Sequence, residues 1–257
     1  MKMLPASAGL HWLRQGFALF ARQPGALSLL FVLWMFGTAL VTLLPRELAL
    51  ACALFLMALY PPSMMLAYQR AANGERVSPM VFRDAFKGKR LLAQGVLAVG
   101  YLLLGALAFK LMLHIAGDVL VQLLAGKADM ESEAVRNSAI PEAVLAMMAV
   151  SAPSTLVYWF ATTLVNWNGA GVIKALFFTV VSVWRGLKAF IVFAAGLFML
   201  NFAFSALVMV LSALTGAQQI VLSLLLPMVA TIVQCALYAA YMQLIGPAPT
   251  PSIDTTA

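Results

Sequence analysis

Six long apolar stretches recur along the chain, and they constrain its fold more than any other feature. An α-helix needs about 20 apolar residues to cross a hydrocarbon core of about 30 Å. The stretches are uniformly apolar rather than alternating, which favours helices over the strands of a barrel. The six predicted spans lie near residues 25–44, 48–69, 91–112, 144–166, 189–214 and 219–244.

The composition is that of a membrane protein. Hydrophobic residues make up 63% of the 257 positions and charged residues only 10%. A water-soluble protein of this size needs more polar surface than this chain supplies. The sequence therefore predicts an all-α integral membrane protein in which residues 1–246 form one polytopic domain. The remaining segment, 247–257, is proline-rich and short of apolar residues, which predicts disorder.

Three amphipathic segments, which we call leading helices, each stand directly before a pair of spans. They read LHWLRQGFALFAR, SPMVFRDAFKGKR and ALFFTVVSVWRGLKAF. In each segment the basic residues fall on one side of a helical wheel and large apolar residues on the other. In the third, the uncharged stretch between Lys174 and Arg185 is ten residues long and reaches only about half-way across the hydrocarbon core. We therefore predict that the leading helices lie in the membrane interface and do not cross it.

A second repeated feature is proline near the middle of each returning span. These prolines are Pro61 and Pro62, Pro153, and Pro227. We infer three copies of one unit, each with a leading helix, an outgoing span and a returning span kinked at proline. The spans of each unit then form a hairpin, and the middle unit is longer by about the length of its polar insert. The alternative is that amphipathic helices and prolines recur here without true internal duplication.

The basic residues are divided unevenly between the two predicted sides of the membrane. With the N-terminus inside, twelve of the sixteen lysines and arginines lie on the cytoplasmic side. The positive-inside rule therefore predicts that both termini are cytoplasmic. That rule alone accounts for part of the basic face, whereas the helical arrangement of the cations favours contact with anionic lipid. The candidate lipid contacts are Arg14, Arg22, Arg83, Lys87, Arg90, Lys174, Arg185 and Lys188.

Polar side chains and prolines within the spans form a second candidate site. They are Pro62, Pro153, Ser154, Asn201, Pro227 and Gln234. One interpretation is hydrogen bonding between helices, which also satisfies carbonyl groups freed by proline. The alternative is a polar path at mid-membrane, as in a small-solute permease or channel. No acidic or basic residue lies near the middle of a predicted span, although proton- or sodium-coupled pumps usually carry one there.

No motif of a known catalytic chemistry is present. The sequence contains no HExxH, GxSxG or P-loop motif and no Cys/His cluster. The two cysteines, Cys52 and Cys235, fall in different predicted spans, where cysteine behaves as a small apolar residue. We therefore expect a non-enzymatic protein with no cofactor, no metal and no nucleic-acid partner. Its expected partners are the phospholipid bilayer, anionic lipids and another membrane protein.

The stretches HWLRQGFALFARQP, ANGERVSPMVFRDAF and ALFFTVVSVWRGLKAF together resemble a family of uncharacterised multi-pass inner-membrane proteins of Gram-negative bacteria. The chain is also distantly similar to the membrane domain that accompanies some glycerophosphodiester phosphodiesterases. Because no phosphodiesterase domain is present, the second resemblance implies architecture and not activity. The first implies an inner-membrane location, and the specific role that we expect is lipid engagement or envelope maintenance.

Overall fold

The computed structural model describes residues 3–86, 88–126 and 138–246, so Lys87 and the segment 247–257 predicted to be disordered lie outside it. Within these ranges the chain forms helices and no strand. The helices are α1 (Ala8–Phe20), α2 (Pro24–Val41), α3 (Arg46–Ala72), α4 (Val81–Ala85), α5 (Gly88–Leu124), α6 (Ile140–Asn168), α7 (Val172–Arg185), α8 (Leu187–Thr215) and α9 (Gln218–Leu244).

The predicted all-α fold with six membrane-spanning segments is confirmed. The six long helices α2, α3, α5, α6, α8 and α9 are each long and apolar enough to cross a bilayer. Helix α5 is longer than the predicted span 91–112. Its backbone breaks at Gly117, which has a φ of 62° and a ψ of −154°. A glycine tolerates this left-handed conformation because it has no Cβ.

The three short helices α1, α4 and α7 occupy the places of the predicted leading helices, but they differ in length. Helix α1 has 13 residues and α7 has 14, whereas α4 has only five. Helix α4 ends at Ala85, whose carbonyl accepts a hydrogen bond from Nδ2 of Asn166 at 2.8 Å. That bond uses an acceptor that a continuing helix would need. The placement of the short helices in a membrane interface, and of the long ones as hairpins, stays a prediction.

Contacts between helices link neighbours along the chain and also bring the first helix onto the last described one. Consecutive long helices contact each other in the pairs α2 and α3, α5 and α6, and α8 and α9. Helix α4 packs on the preceding long helix, α3, and α7 packs on α6. Helix α1 has no preceding helix and packs instead on α9, the last one. The first leading helix therefore joins the start of the chain to its end.

The main hydrophobic core lies at one end of the bundle, which we call the basic end. It combines α1, α4 and α7 with the C-terminal halves of α3, α6 and α9 and the N-terminal parts of α2, α5 and α8. Aromatic rings join these elements: the Tyr60 ring lies 4.1 Å from that of Trp34 and 5.5 Å from that of Trp159. At the other end of the bundle, which we call the far end, the described residues form a small separate cluster between α5 and α6.

Two glycines allow α1 to lie directly against its neighbours. A Cβ on Gly16 would come within 2.7 Å of Ala236 in α9, and one on Gly9 within 2.2 Å of the carbonyl oxygen of Ala189 in α8. Only glycine fits such close backbone approach. Between them Trp12 is fully buried, and its ring contacts that of Phe190 at 4.9 Å. The first leading helix is thus built into the bundle rather than attached to its surface.

Candidate functional site

An open cleft lies at the basic end, between α1, α9 and the end of α3. Its volume is about 560 Å³. The cleft is lined by His11, Gln15, Ala18, Leu19, Arg22, Ala72, Tyr238, Ala239, Met242 and Gln243. Helix α1 supplies four of these ten residues, Arg22 follows it closely, and the glycine contacts described above hold that helix in place. The cleft therefore exists only because the two ends of the chain meet.

Arg22 supplies the positive charge of the cleft. Its Nη1 donates to the carbonyl oxygens of Ala71, at 3.4 Å, and Ala72. These carbonyls lie at the end of α3, beyond the reach of the intrahelical ladder, and that of Ala71 also accepts from the backbone N–H of Gly74 at 3.2 Å. Arg22 therefore stabilises the end of α3 while its Nε and Nη2 make no hydrogen bond among the described residues. Those groups remain available to an anion.

Gln243 is oriented by its neighbour in α1. Its Oε1 accepts a hydrogen bond from Nε1 of Trp12, which is fully buried. The amide of glutamine carries one acceptor and two donors on opposite sides. With the oxygen engaged by Trp12, the NH2 group is the part of Gln243 that remains to donate. Two fixed side chains, Arg22 and Gln243, thus present donors to the same cleft.

Among the described residues, no carboxylate lines the cleft. The two acidic residues that follow α3 pair instead with Arg70, whose Nη2 lies 2.8 Å from Asp84 and whose Nε lies 4.0 Å from Glu75. The hydrogen bond from Arg70 holds the pKa of Asp84 below its usual range. With these acids engaged elsewhere, the polar lining of the cleft consists of Arg22, His11 and two amides. Its apolar lining includes Leu19, Tyr238 and Met242.

The predicted lipid contacts divide into two groups. Arg14, Lys174 and Lys188 are exposed, and no hydrogen bond or ion pair engages them among the described residues. Arg83 is also exposed, and its guanidinium lies 3.4 Å from its neighbour Asp84. These side chains point outward at the basic end and can meet a charged surface.

The other predicted contacts make bonds within the protein. Arg22 donates to the carbonyl oxygens at the end of α3, as described above. Arg90 donates in the same way to the carbonyl oxygen of Asn166, near the end of α6. Arg185 is half-buried, and with Gln243 and Leu244 of α9 it lines a second cleft of about 310 Å³. Each of these arginines therefore lies at the C-terminal end of a different long helix, α3, α6 or α9. Lys87 lies outside the described residues.

The residues of the predicted midplane path do not come together. Pro62 and Pro227 are buried, whereas Pro153 and Asn201 are exposed on different helices. Ser154 donates to the carbonyl oxygen of Val150 in its own helix at 2.7 Å. The helices α3, α6 and α9 continue through their prolines without interruption.

Gln234, in contrast, joins two helices. Its Oε1 accepts hydrogen bonds from the hydroxyl groups of Tyr60, at 3.0 Å, and Tyr68, at 2.7 Å. The hydroxyl of Tyr158 donates to the carbonyl oxygen of Met57, the acceptor that Pro61 leaves without a partner in α3. These bonds are the interhelical hydrogen bonds of the first interpretation.

Sequence reasoning missed Gln243, Tyr238 and Tyr158. The sequence did carry one signal for Gln243, namely its position near the end of the apolar helix α9. Three residues later the chain reaches Gly246, which has a positive φ. In the ranges that the structure describes, no group of three or more His, Cys, Asp or Glu residues could hold a metal ion.

Comparison with known proteins agrees with the fold. The chain is 29% identical over 256 residues to the probable inner membrane protein BTH_II0599 of Burkholderia thailandensis, an alignment that covers 96% of this chain and 94% of that relative. No family model and no solved structure matches the chain. The predicted resemblance to inner-membrane proteins of Gram-negative bacteria is confirmed, and the similarity to the phosphodiesterase membrane domain stays a prediction. With its six helices long and apolar enough to cross a bilayer, the chain is a multi-pass inner-membrane protein.

Proposed function

We propose that this protein binds anionic phospholipid at its basic end, with the lipid phosphate held in the cleft between α1 and α9. In this proposal it acts without catalysing a reaction. The observation that supports the proposal best is the polar lining of the cleft, where Arg22, His11, Gln15 and Gln243 meet with no carboxylate among them. Side chains of this kind donate hydrogen bonds to phosphate oxygens.

The shape of the cleft favours a lipid over a free anion. Leu19, Tyr238 and Met242 line it together with the donors, so a ligand that fills it must combine a charge with an apolar part. The cleft also lies where α9 ends, at the level where a membrane-spanning helix leaves the hydrocarbon core. A phospholipid carries its phosphate and its acyl chains at that same boundary.

The exposed cations supply the longer-range attraction. Arg14, Lys174 and Lys188 lie at the same end of the bundle as the cleft, and none of them makes a bond within the described chain. Each basic residue near an anionic leaflet contributes about 1 kcal/mol, which is about a fivefold change in affinity. We propose that this end faces the cytoplasm, in accordance with the positive-inside rule.

A pair of substitutions with equal charge change tests the cleft. Gln15→Glu places a carboxylate in the cleft, and Arg14→Gln removes a positive charge outside it. Both change the net charge by −1. We expect Gln15→Glu to weaken phosphatidylglycerol binding by more than tenfold, because the carboxylate repels the phosphate and engages Arg22. Arg14→Gln should weaken it by no more than about fivefold.

The measurement is native mass spectrometry of the purified protein in mild detergent, titrated with phosphatidylglycerol or with zwitterionic phosphatidylethanolamine. Lys110→Gln, which makes the same charge change on α5 away from the cleft, is the control and should leave binding unchanged. If Gln15→Glu weakens lipid binding no more than Arg14→Gln does, the lipid is held by general attraction to the charged surface and not by the cleft. Equal retention of the two lipids by the unmodified protein would overturn it.

The permease or channel alternative remains a separate prediction. Its proposed path runs past Asn201, Pro153 and Pro227, and the first two of these residues are exposed on the outside of different helices. The amide of Gln234 is already engaged by two tyrosines. The arrangement therefore supports lipid binding more than a path through the bundle.

A further inference from the structure

Asn201 is an exposed amide at the middle of a membrane-spanning helix. Helix α8 runs from Leu187 to Thr215, so Asn201 is its central residue. The side chain is exposed, and among the described residues it makes no hydrogen bond. Gln234, the other amide considered within a span, accepts hydrogen bonds from two tyrosines. The amide of Asn201 is therefore exposed and has no polar partner among the described residues.

An amide in this position needs a partner at the same depth. Its side chain carries two donors and an acceptor. The hydrocarbon of lipid tails cannot hydrogen-bond with any of them, and an unsatisfied polar group in that environment is unfavourable. Snorkelling does not relieve this, because the short side chain of asparagine cannot reach the headgroups from the middle of a span. The partner must therefore be a polar group of another membrane-embedded helix.

A second copy of this chain supplies such a group at the required depth. All copies are inserted in one orientation, so a twofold axis along the membrane normal places two Asn201 side chains at equal depth. The amide is self-complementary, since each one can donate to and accept from the other. Ala194 and Ser205 are exposed and lie within about 40° of Asn201 on a helical wheel of 100° per residue. Small residues beside a polar one allow two helices to approach closely.

We propose that α8 forms the interface of a parallel homodimer in which Asn201 pairs with Asn201 of the second copy. The proposal is independent of lipid binding, because none of these α8 residues lines the cleft between α1 and α9. Loss of the dimer and loss of lipid binding are therefore separate results.

Dimerisation is measured by fluorescence energy transfer between two labelled populations in phosphatidylcholine vesicles, at decreasing ratios of protein to lipid. We expect Asn201→Leu to weaken the dimer by about 3- to 20-fold, the range of interhelical hydrogen bonds in membranes. Asn201→Gln keeps the amide and should retain more of the dimer than Asn201→Leu. Thr38→Val is the matched control, because exposed Thr38 already donates to the carbonyl oxygen of Met35 at 2.8 Å. It should leave dimerisation unchanged.

Cysteine cross-linking tests the face of α8. In a background with Cys52 and Cys235 replaced by serine, Ser205→Cys should form an intermolecular disulfide. Met199→Cys, about 160° from Asn201 on the wheel, should not. Both positions are exposed, so neither substitution disturbs the core. A chain that stays monomeric at every protein-to-lipid ratio would overturn the proposal. So would an Asn201→Leu variant that dimerises as well as the original, or cross-linking that is equal at the two positions.

Discussion

Long apolar helices run through both ends of the bundle, yet the main hydrophobic core of the described residues lies at the basic end. At the basic end, Tyr68, Phe160 and Tyr241 are fully buried where α3, α6 and α9 meet. At the far end, large side chains of α8 such as Met209 and Leu214 are exposed. Lipid tails surround an apolar side chain as well as another helix does, so hydrophobicity alone does not draw membrane helices together. Close backbone approach, ring contacts and hydrogen bonds do, and these are concentrated at the basic end.

The short helices cause much of this difference. Helix α1 fills the space between α8 and α9, while α4 and α7 pack on α3 and α6. In the described chain no comparable short helix lies between the long ones at the far end. The far halves of the long helices are therefore left to contact lipid or another protein, and on α8 this exposed stretch begins near Asn201 at the helix centre.

The largest expected effect compares two phenylalanines of α8. Phe190 is 7% exposed and contacts Trp12, whereas Phe202 is 67% exposed. We expect Phe190→Ala to lower the free energy of unfolding by about 3 kcal/mol or more, because it leaves a cavity. Phe202→Ala should change it by no more than about 0.5 kcal/mol. Unfolding of the detergent-solubilised protein measures both, and equal losses would contradict the difference in packing between the two ends.

A smaller effect is expected from two glycines. Gly16 meets Ala236 at the basic end, whereas a Cβ on Gly37 of α2 would meet nothing within 4 Å. Gly16→Ala should lower the free energy of unfolding by about 1 to 3 kcal/mol, because α1 has to move away from α9. Gly37→Ala should instead raise it by up to about 1 kcal/mol, since alanine favours the helix. A stable Gly16→Ala variant with unchanged lipid binding would show that close contact of α1 does not shape the cleft.

The smallest expected effect is a pH dependence at the basic end. Arg70 lowers the pKa of Asp84 in the folded protein. The contribution of this pair to stability is therefore fully present above the ordinary carboxyl pKa of about 4, and it is lost as the pH falls through the folded pKa of Asp84. Asp84→Asn should remove that part of the acid destabilisation, as seen in thermal unfolding between pH 7 and 3. An Asp84→Asn variant that loses stability between pH 7 and 3 as much as the original protein does would contradict the pairing of Asp84 with Arg70.

Most of the fold could be predicted because the signals are local. Span length and apolar composition identified the six long helices to within a few residues at most ends. Helix α5 extends beyond the predicted span 91–112 because helical structure continues past Lys110 and His114 and resumes after the break at Gly117, although charged residues interrupt the apolar run there. Helix α4 is shorter than the predicted leading helix because Asn166, far along the chain, donates a hydrogen bond to the carbonyl oxygen of Ala85.

The site was less predictable because it depends on contacts between distant residues. The pattern of cations on one face singled out Arg22, but not its bonds to the end of α3. Gln243 was missed because its partner Trp12 is 231 positions away in the sequence. The exposure of Asn201 was equally hidden, since an apolar helix without a polar face gives no indication of which side meets lipid.

The sequence by itself determined that this protein lies in a lipid bilayer, where its helices are and that its charge is unevenly distributed. Those properties depend on the length and polarity of single segments, which a bilayer of fixed thickness selects. Only the tertiary structure decided that α1 packs on α9 and that Arg22 and Arg90 donate to carbonyl groups at the ends of α3 and α6. It also left Arg14, Lys174 and Lys188 exposed and unbonded among the described residues, where they can meet a charged surface. The physical reason is that apolar patterning does not specify partners inside a membrane, where contacts are chosen by shape and hydrogen bonding.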